Sequence, residues 1–298
     1  MACLNYPVVT CSAVFKTIFI TFVISLLWLG CMNTSHAQTN HIQSKSSKGE
    51  LVEINGQKIY YERYGNGKPL VLLHGGINSI QSSFKNQIEF FATYREVIAI
   101  EQVGHGHTPD TAEAFSYFKM AKDTADLLRS LNVSNADFIG WSDGGILALL
   151  IARYSPELVH RLVASGANTR LVGMSPDVIK KIQDSSPEKL ATGFGEKYRN
   201  QYIALSPDGE KHWPTIAKKT WDLWLTPIIL ENKDLAMINA PSLIINGDKD
   251  LVPIEHAFEI FKALPKGQLF VVPGTGHHTF ESAAPIVNPV ILSFINAP

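Results

Sequence analysis

Short apolar runs alternate with helix-like segments along most of this 298-residue chain. The runs typical of strands are residues 51–54, 58–64, 69–73, 96–100, 136–139, 162–165, 242–245 and 269–272. Strands that are buried on both faces read as continuous runs of Val, Ile and Leu, and helices between them usually cross from one parallel strand to the next. The pattern therefore predicts an α/β fold with a mostly parallel eight-stranded sheet flanked by helices. An Asn55-Gly56 pair between the first two runs predicts a hairpin there.

One stretch interrupts this alternation. Residues 170–238 contain no run typical of a buried strand, but they carry scattered aromatic residues that include Trp221 and Trp224. Nearly 70 residues are too many for a plain loop in a compact domain, so we interpret the stretch as a helical cap inserted after strand 6. Residues 51–169 and 239–298 then form the core. The aromatic residues either pack within the cap or line a pocket beneath it.

A glycine-flanked serine lies between a strand-like run and a helix-like segment. The run Gly140-Trp141-Ser142-Asp143-Gly144 follows residues 136–139 and precedes residues 145–154. A strand, a sharp turn that carries Ser and then a helix is the context of a nucleophile elbow, which exposes the hydroxyl at the carboxyl edge of a sheet. Ser142 is therefore the candidate nucleophile.

A serine hydroxyl needs a base, and the base needs an orienting acid. His277 follows the last strand-like run and is the candidate base, while the adjacent His278 is expected to point elsewhere. Asp250 and Asp248 both follow the preceding run. Asp250 is the candidate acid, because Asp248 is closer to the strand end and more suited to capping the turn. The predicted catalytic residues are Ser142, Asp250 and His277.

An oxyanion hole requires two backbone N–H groups aimed at the developing charge. One should come from Asp143, which follows the nucleophile, and the other from the loop His74-Gly75-Gly76, with Gly76 the favoured donor. Three aromatic residues are predicted to line the substrate pocket: Trp141, Trp221 and Trp224.

Several classes of partner are not expected. The formal net charge is −1, so no basic surface favours nucleic acid. His105 and His107 are two histidines without further ligands at suitable spacing, and they make a poor metal site. The expected partner is a small-molecule ester, with no metal and no cofactor.

The N-terminal residues resemble a signal peptide. Residues 17–30 form an uncharged apolar run that would span about 21 Å as a helix, short of a ~30 Å hydrocarbon core. Cleavage is predicted after Ala37, which gives a signal peptide of residues 1–37, a flexible lead-in of residues 38–50 and an exported, periplasmic or secreted protein. No stable membrane association is expected after cleavage. The alternatives are an uncleaved membrane anchor or a lipoprotein attached through Cys31.

From residue 51 onward the chain resembles the α/β-hydrolase superfamily. The motifs that carry the resemblance are His74-Gly75-Gly76, Gly104–Gly106, the Ser142 elbow, Gly247–Pro253 and Gly276-His277. Within that superfamily, residues 140–146 and 166–168 are similar to the biphenyl-hydrolase-like serine hydrolases, the subgroup that includes valacyclovir hydrolase. The subgroup implies hydrolysis of small carboxylic esters. The chain departs from the superfamily pattern at Glu101, where Asp is usual, and at Thr108, where Ser is usual.

The leading hypothesis is therefore a serine esterase that works through an acyl-enzyme. A C–C bond hydrolase, a lactonase or an aminopeptidase could use the same triad, because reaction class depends on the site and the cap more than on the fold. A non-catalytic binding protein is the remaining alternative.

Overall fold

The computed structural model describes residues 49–227 and 229–298. They contain one eight-stranded sheet with the strand order β1-β2-β4-β3-β5-β6-β7-β8. The strands are β1 (Glu50–Ile54), β2 (Gln57–Tyr64), β3 (Pro69–Leu73), β4 (Glu96–Glu101), β5 (Ala136–Trp141), β6 (Val159–Ser165), β7 (Ser242–Gly247) and β8 (Gly267–Val272). The helices are α1 (Ile80–Phe91), α2 (Tyr117–Ser130), α3 (Asp143–Tyr154), α4 (Pro176–Asp184), α5 (Pro187–Lys189), α6 (Glu196–Leu205), α7 (Trp213–Trp224), α8 (Asn232–Leu235), α9 (Ile254–Ala263), α10 (Thr279–Ser282) and α11 (Ala284–Ile295).

The first two strands form the predicted hairpin. Asn55 has φ 50° and Gly56 has φ 79°, which is the left-handed pair that a two-residue type I′ turn requires. Strand β2 also pairs antiparallel with β4, whereas all the remaining neighbours are parallel. The predicted fold class is confirmed: the sheet is mostly parallel and has eight strands.

Two apolar layers cover the sheet, one on each face. Successive residues of β3 point to opposite faces, so Val71 and Leu73 join one buried cluster while Leu70 and Leu72 join the other. The first cluster includes side chains of α2 and α3, and the second includes side chains of α1 and α11. Burial on both faces explains why the strands read as continuous apolar runs.

The carboxyl ends of the parallel strands meet at one edge of the sheet. Strand β3 lies between β4 and β5, so the strand order changes direction there. Open α/β sheets bind ligands at such a point. The loops after β3, β5, β6, β7 and β8 all begin at this edge, and among them they carry the residues predicted as catalytic and the predicted oxyanion donor Gly76.

The segment between β6 and β7 is helical. It contains α4 to α8 and, at the positions that the structure describes, no strand. Trp213 of α7 is 2% exposed, and its ring packs 5.5 Å from that of Tyr202 on α6. Lys219 of α7 donates to both carboxylate oxygens of Asp110, at 2.9 and 2.8 Å, and so ties the cap to the loop after β4.

Among residues 49–227 and 229–298, no helix combines the length and the apolar character that crossing a bilayer requires. The predicted signal peptide and its cleavage site lie outside the described residues.

Candidate active site

Ser142 lies alone between a strand and a helix. Strand β5 ends at Trp141 and α3 begins at Asp143, while Ser142 itself has φ 54° and ψ −122°. The turn is tight enough to exclude a side chain at Gly144, where a Cβ would lie 1.8 Å from the carbonyl oxygen of Leu73. The sequence therefore needs glycine here, and the close packing leaves the Ser142 hydroxyl at the carboxyl edge of the sheet.

One hydrogen bond joins Ser142 to His277, and a second joins His277 to Asp250. His277 Nε2 lies 2.8 Å from Ser142 Oγ, and His277 Nδ1 lies 2.8 Å from Asp250 Oδ1. The side chain of Asp250 is fully buried, and Oδ1 also accepts a bond of 3.0 Å from the Val252 N–H. An imidazole that donates through Nδ1 to a carboxylate leaves Nε2 to accept the serine proton. The structure thus brings together the three residues predicted as catalytic.

The neighbouring acid and histidine have other partners. Asp248 accepts a bond of 3.1 Å from the Thr275 N–H, so it fixes the loop that carries His277. The ring of His278 packs 4.7 Å from that of Trp141. Burial and the nearby His277 lower the pKa of His278. Neither side chain forms a hydrogen bond to Ser142.

Trp141 and Gly166 hold the His277 loop from two sides. The indole N–H of Trp141 donates to the carbonyl oxygen of His277 at 2.8 Å, and the two rings lie 5.4 Å apart. At Gly166 a Cβ would lie 2.9 Å from His277 Nδ1, so the histidine packs directly on this backbone. Trp141 is 4% exposed and belongs to a buried cluster on one face of the sheet. Its contact is with the histidine loop, and its assignment to the substrate pocket stays a prediction.

The loop after β3 abuts the nucleophile. A Cβ on Gly75 would lie 3.2 Å from Ser142 Cβ, and one on Gly76 would lie 2.3 Å from Asp143 Oδ2. The two predicted oxyanion donors, Gly76 and Asp143, are therefore neighbours on one side of Ser142. Their role as donors remains a prediction.

Comparison with known proteins identifies the family. Residues 70–288 match the family described as the alpha/beta hydrolase family. The chain belongs to the α/β-hydrolase family. It is 28% identical over 256 residues to the human serine hydrolase BPHL, a match that covers 82% of this chain and 85% of that protein. The subgroup resemblance seen in the sequence agrees with this relative.

Two solved structures of other proteins are similar in fold to this α/β-hydrolase. One is a meta-cleavage product hydrolase from Pseudomonas fluorescens IP01, at 22% identity and a TM-score of 0.69, with 83% of this chain and 97% of that chain covered. Another is a carboxylesterase from Bacillus subtilis, at 22% identity and a TM-score of 0.67, with 85% and 92% covered. At these identities the likeness establishes the fold and leaves the reaction open.

In this α/β-hydrolase the carboxylate of Asp143 links three elements. It accepts bonds from the Tyr117 hydroxyl of α2 at 2.9 Å and from the Trp224 indole of α7 at 3.1 Å. Burial raises the pKa of Asp143, and the bonds from Trp224 and Tyr117 oppose that rise. The sequence did not single out Tyr117, and a Tyr at the first position of a helix carries no signal for such a contact.

The cap aromatics differ in their relation to Ser142. Trp224 reaches Asp143, the residue next to the nucleophile, so it lies at the site. Trp221 is 9% exposed on the same helix. A narrow cavity between the cap and the core is lined by Ile77, His105, Gln201, Tyr202, Trp213 and Ile216. The cap therefore contributes side chains to the space beside the loop after β3, and pocket roles for Trp221 and Trp224 stay predictions.

His74 and His107, near this edge, bind groups other than Ser142. His74 Nε2 accepts a bond from the Gln102 N–H at 3.0 Å, and burial, reinforced by His105, lowers the pKa of His74 to about 3. His107 lies 2.9 Å from the buried carboxylate of Glu101, a bond that raises the pKa of His107. Over the described part of the chain, no group of three His, Cys, Asp or Glu side chains is arranged to hold a metal ion.

Proposed function

We propose that this α/β-hydrolase cleaves small carboxylic esters through an acyl-enzyme formed on Ser142. The observation that carries the proposal is the hydrogen-bonded series from Ser142 Oγ to His277 to Asp250, with both distances at 2.8 Å. A hydroxyl that donates to a neutral imidazole, itself fixed by a buried carboxylate, is an activated nucleophile.

The reaction follows from this geometry. Ser142 Oγ attacks the ester carbonyl while His277 takes its proton, and Asp250 stabilises the resulting imidazolium. The N–H groups of Gly76 and Asp143 hold the negative oxygen of the tetrahedral intermediate. His277 then protonates the leaving alcohol, after which it takes a proton from water as the water attacks the acyl group. As the bond between the acyl carbon and Ser142 Oγ breaks, His277 returns that proton to Oγ and the carboxylic acid leaves. The steps use side chains, backbone amides and one water molecule.

The charge beside the nucleophile bears on the substrate. Asp143 is the residue next to Ser142. Burial raises the pKa of its carboxyl group, and the bonds from Trp224 and Tyr117 oppose that rise because they favour the ionised form. An ionised Asp143 would repel an anionic acyl group and attract an α-ammonium group, whereas a neutral ester is indifferent to its charge, so aminoacyl substrates belong in the test.

The test is a substrate panel with the purified protein and its Ser142→Ala variant. The panel contains p-nitrophenyl acetate and butyrate, a small lactone, an aminoacyl anilide and a vinylogous diketone. We expect turnover of the p-nitrophenyl esters, with an initial burst of p-nitrophenol and a protein mass increased by the acyl group. We expect no turnover with the variant. If the wild type cleaves the diketone or the anilide but neither ester, the proposed reaction class is wrong.

A further inference from the structure

Asn78 binds the backbone of the predicted oxyanion loop. Its side-chain amide donates to the carbonyl oxygen of Gly76 at 2.8 Å, and its backbone N–H donates to the carbonyl oxygen of Gly75 at 3.2 Å. The second bond closes a four-residue turn from Gly75 to Asn78. This turn abuts Ser142 and Asp143, as the glycine contacts above establish.

The turn adopts a conformation that its sequence disfavours. Gly76 is outside the left-handed region, whereas Ile77 has φ 60°. A positive φ at the third position alone makes this a type II turn, in which glycine or asparagine is expected at that position. A β-branched residue with positive φ is strained. Ile77 would relax if the peptide between Gly76 and Ile77 turned over to the type I arrangement.

The side chain of Asn78 opposes that rotation, and it is itself anchored. Asn78 is 6% exposed, and its Oδ1 accepts a bond of 3.1 Å from the Ser82 hydroxyl in the first turn of α1. Ser82 Oγ in turn accepts from the N-cap residue Ser79 through its backbone N–H at 2.9 Å. The amide group of Asn78 is thus held with its Nδ2 toward the Gly76 carbonyl.

We propose that Asn78 is a positioning residue for the oxyanion hole, one that fixes the Gly76–Ile77 peptide by binding its carbonyl oxygen. While that oxygen is bound by Asn78 it cannot turn toward the developing negative charge, and the Gly76–Ile77 peptide that follows the predicted donor N–H of Gly76 stays fixed. Without Asn78, relaxation of Ile77 turns the carbonyl dipole and weakens stabilisation of the transition state. The inference rests on the proposed use of an oxyanion hole at Ser142.

The contact chain extends to the cap. Gln201 of α6 donates to Ser79 Oγ at 2.7 Å, and Ser79 and Ser82 begin the helix that anchors Asn78. Helix α6 is thereby connected to Asn78 through the side chains of Gln201, Ser79 and Ser82. Gln201 and Asn78 act in series, so a change at Gln201 should produce a smaller effect of the same kind.

The test measures how fast Ser142 is phosphonylated by a fluorophosphonate, followed by intact-protein mass. This reagent places a phosphonyl oxygen in the oxyanion hole, and its reaction does not depend on the natural substrate. The variants are Asn78→Ala, the nearly isosteric Asn78→Asp, Ile77→Gly and the double variant with Ile77→Gly and Asn78→Ala. Asn86→Ala, at an exposed asparagine of the helix α1 that follows the turn, is the matched control. The values of kcat and KM for p-nitrophenyl butyrate are measured in parallel.

We expect Asn78→Ala and Asn78→Asp to slow phosphonylation by about 10-fold or more. The loss should be smaller than the loss caused by removing one oxyanion donor outright, and KM should change by less than about 3-fold. In the Ile77→Gly background the same loss should shrink to less than about 3-fold, because glycine has no strain to relieve at positive φ. Asn86→Ala should react like the wild type.

Three results would overturn the proposal. These are wild-type phosphonylation rates in both Asn78 variants, an equal loss with and without Ile77→Gly, and a loss confined to KM. If the alanine variant does not fold, the aspartate variant decides. A wild type that is phosphonylated but hydrolyses no ester refutes the proposed function alone, and the phosphonylation rates still decide the role of Asn78. A wild type that is not phosphonylated refutes both.

Discussion

Asp248 and Asp250 are two residues apart in one loop, yet their carboxylates have different partners. Asp250 is fully buried and bonds to His277, whereas Asp248 accepts from the backbone of Thr275. The sequence favoured Asp250 because Asp248 is nearer to the strand end and more suited to a turn. The assignment of roles therefore depends on where each carboxylate lies along the loop.

Replacing any member of the Ser142–His277–Asp250 series should remove most of the hydrolytic activity. Ser142→Ala and His277→Ala should each lower kcat by about 10³-fold or more, and the double variant should lose little beyond either one, because the residues act as a unit. Asp250→Asn should follow the same pattern. Steady-state kinetics on p-nitrophenyl butyrate measure these effects.

Asp248→Asn is the matched control, since it changes a carboxylate of the same loop that has no bond to His277. We expect it to reduce kcat by less than about 10-fold through loosening of the loop. A severe loss in Asp248→Asn together with a mild one in Asp250→Asn would show that the acid has been misassigned.

At the scale of elements, the sequence located the sheet better than the cap. Strands β3, β4 and β7 begin where their apolar runs begin. Each of these elements buries a wide face, so its pattern follows from its burial. The cap helices were predicted only as a group, without bounds for each helix.

The site was predictable to the extent that it follows from strand ends. Ser142, Asp250 and His277 each follow a strand at the same edge of the sheet, so the strand ends and the chain order identify the loops that carry them. The bonds of Tyr117 and Trp224 to Asp143 were not predictable, because they join elements far apart in sequence. Asn78 was missed because its role depends on the turn conformation at Ile77.

The cap should limit the size of the acyl group. With apolar walls, rates at subsaturating substrate should rise with acyl length over the first few carbons, since burial contributes roughly 25 cal/mol for each Å² removed from water. They should then fall as the capped space fills. Relative rates on p-nitrophenyl esters from C2 to C12 measure the optimum. A rate that climbs steadily through C12 would indicate an open groove.

Trp224→Ala and Trp221→Ala together test which of the two indole rings limits the space for the acyl chain. Because Trp224 lies at Asp143, its removal should move the optimum to longer acyl chains, whereas Trp224→Phe should retain most of the wall and lose only the bond to Asp143. Trp221→Ala is the comparison on the same helix. If both alanine variants lower thermal stability without moving the optimum, the rings belong to the packing of the cap.

For the whole molecule, buried histidines should make stability fall in acid. The pKa of His74 is about 3 in the folded protein, below the usual 6.5, so between these values the unfolded state binds a proton that the folded state does not. Stability is then retained above pH 6.5 and lost as the pH falls below it, by about 1.4 kcal/mol per pH unit for one proton. The free energy of unfolding, measured by urea titration at several pH values between 7 and 5, should therefore fall less steeply with acidification in His74→Asn, by the contribution of one proton.

His107 provides a control of opposite sign. Its bond to Glu101 raises its pKa in the folded state, so its contribution is present below pH 6.5 and lost as the pH rises through the raised value. His107→Gln should therefore change the pH dependence of the unfolding free energy above pH 6.5 and leave it unchanged below pH 6.5. An unchanged acid slope in His74→Asn would contradict the lowered pKa of His74.

The backbone of Ser142 implies that this protein is less stable than its fold allows. A non-glycine residue at φ 54° and ψ −122° occupies a region that glycine alone enters freely, and such residues typically cost about 1–3 kcal/mol. Ser142→Gly should therefore melt at least as high as the wild type, and about 2 °C or more above Ser142→Ala, which keeps the strain without the hydroxyl. Calorimetry of the three proteins measures the difference, and a glycine variant that melts below the alanine variant would contradict it. Ser142→Gly would thus gain stability only by removing the hydroxyl, the group on which the proposed reaction depends.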